Sequence, residues 1–366
     1  MRKRSNGKLL VGLGALVMIA SLIVTRACSS DRSKSTNALN TKGSASRPGA
    51  AGTGAPRPSP NAAGSAVVEV TRRDAGPEGV VLFSPWGGSR GNHLGRDRPQ
   101  EGNPSGPMSL TMDAKGRVYV LDQVNGRVVR FGADGKPEGE VDVKSLTAQD
   151  IALGKDGSMA VMDRFSNKAV TLYDEGGAPR GQLPLAGEGV PETGLVTGVF
   201  VDGNDVYVER EHGPLVRIGD TSGKPAEPRT EIPGRPSRDG LSFINAGITD
   251  AIGGRAWVSS IDRKTNEHKF TRELRLRALI HAIKLLDTDK HGVIYFAAEV
   301  EDDTQTVSVV LQCLEPLKGA PIGSAVMPAN TLPEETFRDL AVLDDGGVVY
   351  SLRSEQGVTY QKYDCN

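Results

Sequence analysis

The chain has 366 residues, with 45 Gly, 22 Pro and only 5% aromatic residues, and this composition favours many turns over long helices. Its formal net charge of -1 provides no global attraction to nucleic acid, so we predict no nucleic-acid partner. Three cysteines exclude a disulfide-dense scaffold and a four-cysteine zinc site, and the five histidines lack metal-ligand spacing.

The amino terminus has the sequence pattern of an export signal or a signal anchor. Residues 1–8 form a basic tail, and residues 9–25 form an uncharged, largely apolar segment. The positive-inside rule places the tail in the cytoplasm and the rest of the chain outside. The pattern favours an uncleaved signal anchor, while cleavage after Ala27 and lipidation of Cys28 as in a bacterial lipoprotein both stay open. We therefore expect a protein anchored in a bacterial cell-envelope membrane, with its C-terminal domain on the extracytoplasmic side.

Residues 26–66 are predicted to form a disordered linker. This segment contains one Leu, no aromatic residue and no Val or Ile. It cannot bury enough apolar surface to offset the entropy lost on ordering. We expect it to act as a tether between the membrane and a globular domain.

Six similar stretches recur in residues 67–366, each with apolar strands separated by polar turns that contain Gly. Their anchor residues are spaced by 41, 47, 50, 38 and 55 residues, and they are Tyr119, Ala160, Tyr207, Trp257, Tyr295 and Tyr350. A period of about 40 to 50 residues built from short strands is typical of β-propeller blades. The predicted fold class is all-β, a six-bladed β-propeller over residues 67–366, preceded by a single N-terminal hydrophobic helix and the linker.

The first two stretches, "GPMSLTMDAKGRVYVLDQVNGRVVRFGADG" and "DIALGKDGSMAVMDRFSNKAVTLYDEGG", resemble the NHL-repeat family. The resemblance implies a closed propeller. Asp122 and Asp163 match the acidic residue of that family at the end of the second strand, where a carboxylate accepts hydrogen bonds from turn N–H groups. We interpret both residues as structural.

The last blade lacks a fourth strand in the sequence that follows it. The segment "GVVLFSPWGG", residues 79–88, has no blade of its own, and we predict that it supplies this strand and closes the ring. Cys365 then belongs to the closing blade and Cys313 to the blade before it. A disulfide between them and two unpaired buried cysteines are both compatible with the sequence. The segment from Thr271, "TRELRLRALIHAIKLLDTD", fits a short amphipathic helix or two strands, and the repeat phase favours strands.

Polar residues lie just before the predicted innermost strands, at the mouth of the central channel. These candidate binding residues are Ser109, Asp150, Thr197, Asn245, His281 and Asp339. Such a ring could hold a polar ligand or a divalent cation, although loop-to-strand junctions are polar in most proteins. We predict no cofactor, with a divalent cation as the alternative. The calcium-loop-like run from Asp287 places Ala298 where a bidentate Glu is required, so it reads as an ordinary turn.

The sequence contains no nucleophile elbow, phosphate-binding glycine loop or HExxH motif. We therefore expect a membrane-tethered propeller that acts as a binding or scaffold module for an envelope protein or a surface polysaccharide. The alternative is a metal-dependent enzyme of the lactonase or lyase type with a site at the channel mouth. A purely structural subunit of an envelope assembly is a third hypothesis.

Overall fold

The computed structural model describes residues 67–72, 76–145 and 147–365. Within these residues the strands form five four-stranded sheets and one five-stranded sheet, and the only helical elements are two short 3-10 turns, Gln123–Asn125 and Thr193–Leu195. This arrangement confirms the all-β six-bladed propeller. The described part of the chain contains no helix long and apolar enough to cross a membrane. The predictions for residues 1–8, 9–25 and 26–66, Cys28 included, lie outside the described residues.

The first three blades each contain four antiparallel strands, which pair in chain order from the innermost strand outward. Two strands precede them in the chain, β1 (Val67–Glu69) and β2 (Gly79–Pro85). Blade one comprises β3 (Ser109–Met112), β4 (Val118–Asp122), β5 (Arg127–Phe131) and β6 (Pro137–Asp142). Blade two comprises β7 (Asp150–Leu153), β8 (Met159–Asp163), β9 (Ala169–Tyr173) and β10 (Pro179–Pro184). Blade three comprises β11 (Val196–Asp202), β12 (Asp205–Arg210), β13 (Leu215–Asp220) and β14 (Pro225–Ile232).

The turn between β4 and β5 shows how the predicted hairpins form. Gly126 has a φ of 64°, in the left-handed region where a side chain would be strained. Asn125, the residue before it, lies in the 3-10 turn, and its side-chain amide donates to Asp122 Oδ2 at 2.7 Å. Asp122 also accepts from Arg127 Nε at 2.9 Å and from the Gly95 N–H at 2.8 Å. Asp122 therefore ties its own turn to the loop before blade one, in agreement with its predicted structural role.

Blade four is the five-stranded sheet. Its strands are β15 (Arg235–Pro236), β16 (Ser242–Asp250), β17 (Arg255–Asp262) and β18 (His268–Arg275), with β1 added outside β18 in parallel. The innermost strand is thus the two-residue β15. The neighbouring blades support this order. Gly177, in the turn between the third and fourth strands of blade two, packs on Val141 of β6, the fourth strand of blade one. Gly319, in the equivalent turn of blade five, packs on Phe270, so β18 has the position of a fourth strand in blade four.

This order differs from the predicted phase of the fourth stretch. Trp257 lies on β17, the third strand of its blade, whereas the other five anchor residues lie on second strands. The predicted strands within residues 271–289 are confirmed, because β18 and the following strand cover this segment.

Blades five and six complete the ring. Blade five comprises β19 (Leu279–Thr288), β20 (Ile294–Glu301), β21 (Val307–Leu314) and β22 (Pro321–Pro328). Blade six comprises β23 (Leu340–Val342), β24 (Val348–Ser354) and β25 (Gly357–Tyr363). Strand β2 pairs antiparallel with β25, from Gly79 opposite Lys362 to Pro85 opposite Gly357. The predicted closure by the segment from residue 79 is therefore confirmed, and it leaves β25 with no unpaired edge.

The core lies between the blades. Five clusters of buried apolar side chains each join two neighbouring sheets. The fully buried Tyr350 and Tyr363 of blade six share one of these clusters with Leu311 of blade five. In the same interface Cys313 of β21 and Cys365, just after β25, form a disulfide with a Cα–Cα distance of 6.0 Å. This distance is normal for a disulfide, so the link joins the last blade to its neighbour without displacing either backbone.

Candidate functional site at the channel mouth

The candidate site lies at the end of the central channel where the innermost strands begin, called the channel mouth below. Strands β3, β7, β11, β19 and β23 start at this end, and adjacent members of the ring contact one another, as β3 and β7 do. Side chains at the first positions of these strands therefore converge from several blades.

Ser109 and Asp150, two of the predicted binding residues, are brought together there. They are the first residues of β3 and β7, and both are buried. The Ser109 hydroxyl lies 3.0 Å from Asp150 Oδ1 and 2.8 Å from the Gln149 carbonyl oxygen. The second carboxylate oxygen, Asp150 Oδ2, accepts from the Val199 N–H at 3.0 Å. Asp150 thus connects the inner strands of the first three blades.

Arg338, which precedes β23 of blade six, supplies the cation that pairs with Asp150. Its Nη2 donates to Asp150 Oδ2 at 2.7 Å, and its backbone bridges in parallel to Ser109. The guanidinium also lies over the Phe200 ring, 5.4 Å from the centroid. Burial raises the pKa of Asp150, and the charge of Arg338 and the hydrogen bonds from Val199 and Ser109 offset only part of that rise.

A second ion pair lies beside the first. Arg235, on β15, donates to both oxygens of Glu209, at 2.8 Å and 3.1 Å, and to the Leu286 carbonyl oxygen at 2.7 Å. Thr197, another predicted binding residue, donates to Glu209 Oε2 at 2.9 Å. Burial alone would raise the pKa of Glu209, but the charge of Arg235 and hydrogen bonds from His212, Arg235 and Thr197 hold it at about 2. Because Arg235 also stacks on Phe200, at 5.0 Å, the two ion pairs share one aromatic ring.

Asp339 takes part in a third pair. The Lys284 ammonium lies 3.0 Å from Asp339 Oδ2, and the carboxylate is almost completely buried. Asp339 Oδ1 is buried without a hydrogen-bond partner in the described part of the chain. Asp339 Oδ1 can therefore accept a further hydrogen bond, whereas both carboxylate oxygens of Asp150 already accept hydrogen bonds.

The remaining two predicted residues do not join this network. Asn245 lies in the middle of β16, the second strand of its blade, beside Gly234. Its position differs from the predicted one because β15 takes the innermost place. His281 is exposed on β19, and its Nε2 lies 2.9 Å from Glu301 Oε2.

Sequence reasoning missed the cations of the mouth, Arg338 and Arg235, and the carboxylate Glu209. Arg338 immediately precedes the predicted Asp339, so an inspection of neighbouring positions would have found it. Arg235 carried no signal, because a two-residue strand is too short to show alternation.

Metal-ligating side chains do not cluster in the residues that the structure describes: no group of three or more His, Cys, Asp or Glu could hold an ion. In the calcium-loop-like run, Asp289 accepts the His291 N–H at 2.8 Å and the Val293 N–H at 3.0 Å, as in an ordinary turn. Asp287 pairs with Arg238 at 2.5 Å. The carboxylates of this run therefore have protein partners.

Comparisons with known proteins give fold-level similarity only. No family model matches the chain, so the NHL-repeat resemblance stays a prediction, and no curated protein matches it. Among solved structures, hydrazine synthase of Kuenenia stuttgartiensis is 16% identical with a TM-score of 0.46, over 70% of this chain and 76% of that chain. A protein of unknown function from Bacteroides thetaiotaomicron is 14% identical with a TM-score of 0.46, over 78% and 74% of the two chains. Virginiamycin B lyase from Staphylococcus aureus is 12% identical with a TM-score of 0.40, over 71% and 95%.

Proposed function

We propose that the chain is a membrane-tethered binding module of the bacterial cell envelope, whose channel-mouth face binds a surface polysaccharide or an envelope protein. The observation that carries this proposal is the mutual pairing of charged groups at the mouth. Asp150 is paired with Arg338, Glu209 with Arg235, and Asp339 with Lys284. These pairs connect blades, so we assign the charged groups a structural role and place binding on the surrounding rim.

The pairing disfavours the metal-dependent lactonase or lyase alternative. A catalytic metal site needs several free carboxylates or imidazoles within reach of one ion. Both carboxylate oxygens of Asp150 are already bonded to Ser109, Val199 and Arg338. Asp339 has one oxygen without a partner, but in the described residues no further carboxylates or histidines join it to form a metal-binding group.

Two further features support an extracytoplasmic location. Disulfides persist mainly in oxidising compartments, and the Cys313–Cys365 link joins two blades. The basic and apolar residues 1–25 match a signal anchor in sequence, with the linker as a tether. Together they suggest a propeller held outside the membrane from which it is tethered.

The test uses the purified full chain in detergent micelles. We expect retention on at least one immobilised envelope polysaccharide or envelope protein extract, unchanged by a chelator, and no stoichiometric metal by elemental analysis. A tightly held divalent ion that is lost in the Asp339→Asn variant would overturn the proposal in favour of the enzymatic alternative. Arg180→Gln, which changes an exposed pair far from the mouth, is the matched control.

A further inference from the structure

Arg164, a cation at the channel mouth, forms no ion pair with any residue that the structure describes. It follows β8, and its backbone is fixed by the Gln149 side chain, which accepts the Arg164 N–H at 3.0 Å, and by the Thr193 hydroxyl, which donates to the Arg164 carbonyl at 2.9 Å. Its Nη1 donates to the carbonyl of Val196, the first residue of β11, at 2.8 Å. The guanidinium therefore lies at the mouth in a defined position.

The charge of Arg164 is uncompensated in the part of the chain that the structure describes. It forms no ion pair there, its Nε is buried without a hydrogen-bond partner, and burial lowers its pKa. Other arginines also form no ion pair there. Arg229 donates to the carbonyl oxygens of Pro184, Leu185 and Ala186, whereas Arg353 resembles Arg164 in its unpartnered Nε and its single carbonyl acceptor, that of Glu334. Arg164 has only the one carbonyl. A desolvated cation with unused donors gains free energy when an anion reaches it.

Two aromatic rings flank the Arg164 guanidinium. Its Cζ lies 4.9 Å from the Phe165 ring centroid and 5.4 Å from that of Phe337. Phe337 is partly buried against the core, whereas Phe165 is 57% exposed. The site thus offers a cation of fixed orientation beside an exposed apolar ring.

We infer that Arg164 and Phe165 form a binding site for a uronic-acid residue of an acidic surface polysaccharide. The inference rests on the proposed function and names its ligand class. The guanidinium donates from Nη2 to the sugar carboxylate, and the C–H face of the pyranose packs on the Phe165 ring. In a uronate the carboxylate is attached directly to the sugar ring. One residue can therefore present its charge to the guanidinium and its C–H face to the part of the Phe165 ring that the stacked guanidinium leaves exposed. An acidic peptide side chain has no such flat apolar face, so the geometry favours the sugar.

The experiment measures binding of oligogalacturonate to the full chain in detergent micelles by calorimetry. Maltooligosaccharide of equal length tests the need for charge, and oligoglutamate tests the need for the sugar. We expect Arg164→Gln to weaken oligogalacturonate binding about tenfold, because a charge-assisted hydrogen bond is lost. We expect Phe165→Ala to weaken it as well, and the exposed control Arg180→Gln to leave it unchanged. Circular dichroism and thermal melts verify that each variant is folded.

The outcomes separate the inference from the proposed function. Undiminished binding by folded Arg164→Gln, or no binding of oligogalacturonate while the chain still retains another envelope ligand, overturns the inference alone. Equal binding of oligoglutamate with the same dependence on Arg164 overturns the sugar and assigns the site to an acidic peptide. Failure of the wild-type chain to retain any envelope polysaccharide or protein overturns the proposed function itself.

Discussion

Breaking the ion pair between Arg338 and Asp150 should strongly destabilise the ring. The Arg338→Met substitution removes the guanidinium and leaves the fully buried Asp150 carboxylate without its cation. Breaking one side of a buried pair costs roughly 3–5 kcal/mol, and the 23% exposure of the Arg338 side chain places the expected loss at the lower end, about 3 kcal/mol. At about 2 °C per kcal/mol for a domain of this size, Tm should fall by about 6 °C.

Urea unfolding followed by tryptophan fluorescence measures this loss, since Trp86 and Trp257 both lie in the propeller. The control is Arg180→Met, whose pair with Asp156 is exposed and should contribute at most about 1 kcal/mol. The double variant Asp150→Asn with Arg338→Met removes the buried charge as well. It should recover part of the loss, because no unpaired carboxylate remains.

The pH dependence of the Arg338→Met variant gives a second check. Burial already raises the pKa of Asp150 above its usual 3.8, and removal of Arg338 deletes a contribution that lowers it. A carboxyl group whose pKa is raised in the folded state is stabilised by protonation, so the deficit should be largest at neutral pH and shrink as the pH falls towards 4. A loss below about 1 kcal/mol, or a deficit independent of pH, would refute the reasoning.

Three other predictions concern the same framework. Replacing Cys313 and Cys365 by Ser opens a loop with a sequence separation of 52 and should lower the free energy of unfolding by up to about 4 kcal/mol in denaturant titrations; an unchanged midpoint would contradict this. The lowered pKa of Glu209 contributes stability that is present above pH 4.5 and lost as the pH falls to about 2. In Glu209→Gln the free energy of unfolding should therefore depend less on pH in that range, and an unaltered acid transition would argue against this. Deleting residues 1–85 removes β2 and should yield aggregates by size-exclusion chromatography, whereas deleting residues 1–75 removes β1 but leaves the ring closed and monodisperse; equal behaviour of the two truncations would disprove closure by β2.

Much of the architecture was predictable because propeller blades are built from local patterns. A hairpin needs only neighbouring strands and a turn that admits positive φ, and both are visible in stretches such as that around Gly126. Closure by residues 79–88 followed from counting strands, since one blade lacked a partner. Blade four was misphased because Arg235–Pro236 is too short to show a period and β1 adds a strand from a distant part of the chain.

The sequence predicted the candidate site only at positions that recur in each repeat, at the start of an inner strand. Ser109 and Asp150 begin inner strands, and the structure joins them directly. Their partner Arg338 is 188 residues from Asp150 in sequence, so no local pattern connects the two. Arg164 carried no signal in the sequence, because its lack of a carboxylate is a property of its surroundings.

The sequence by itself determined most of the strands and turns, the number of blades and the strand that closes the ring, because each depends on interactions between residues close in the chain or on a simple count. Only the tertiary structure decided which charges pair between blades, that Arg164 lies at the mouth without a carboxylate partner, and that Cys313 and Cys365 meet. The physical reason is ring closure, which brings blade six against blade one and sets the distances between side chains from opposite ends of the domain.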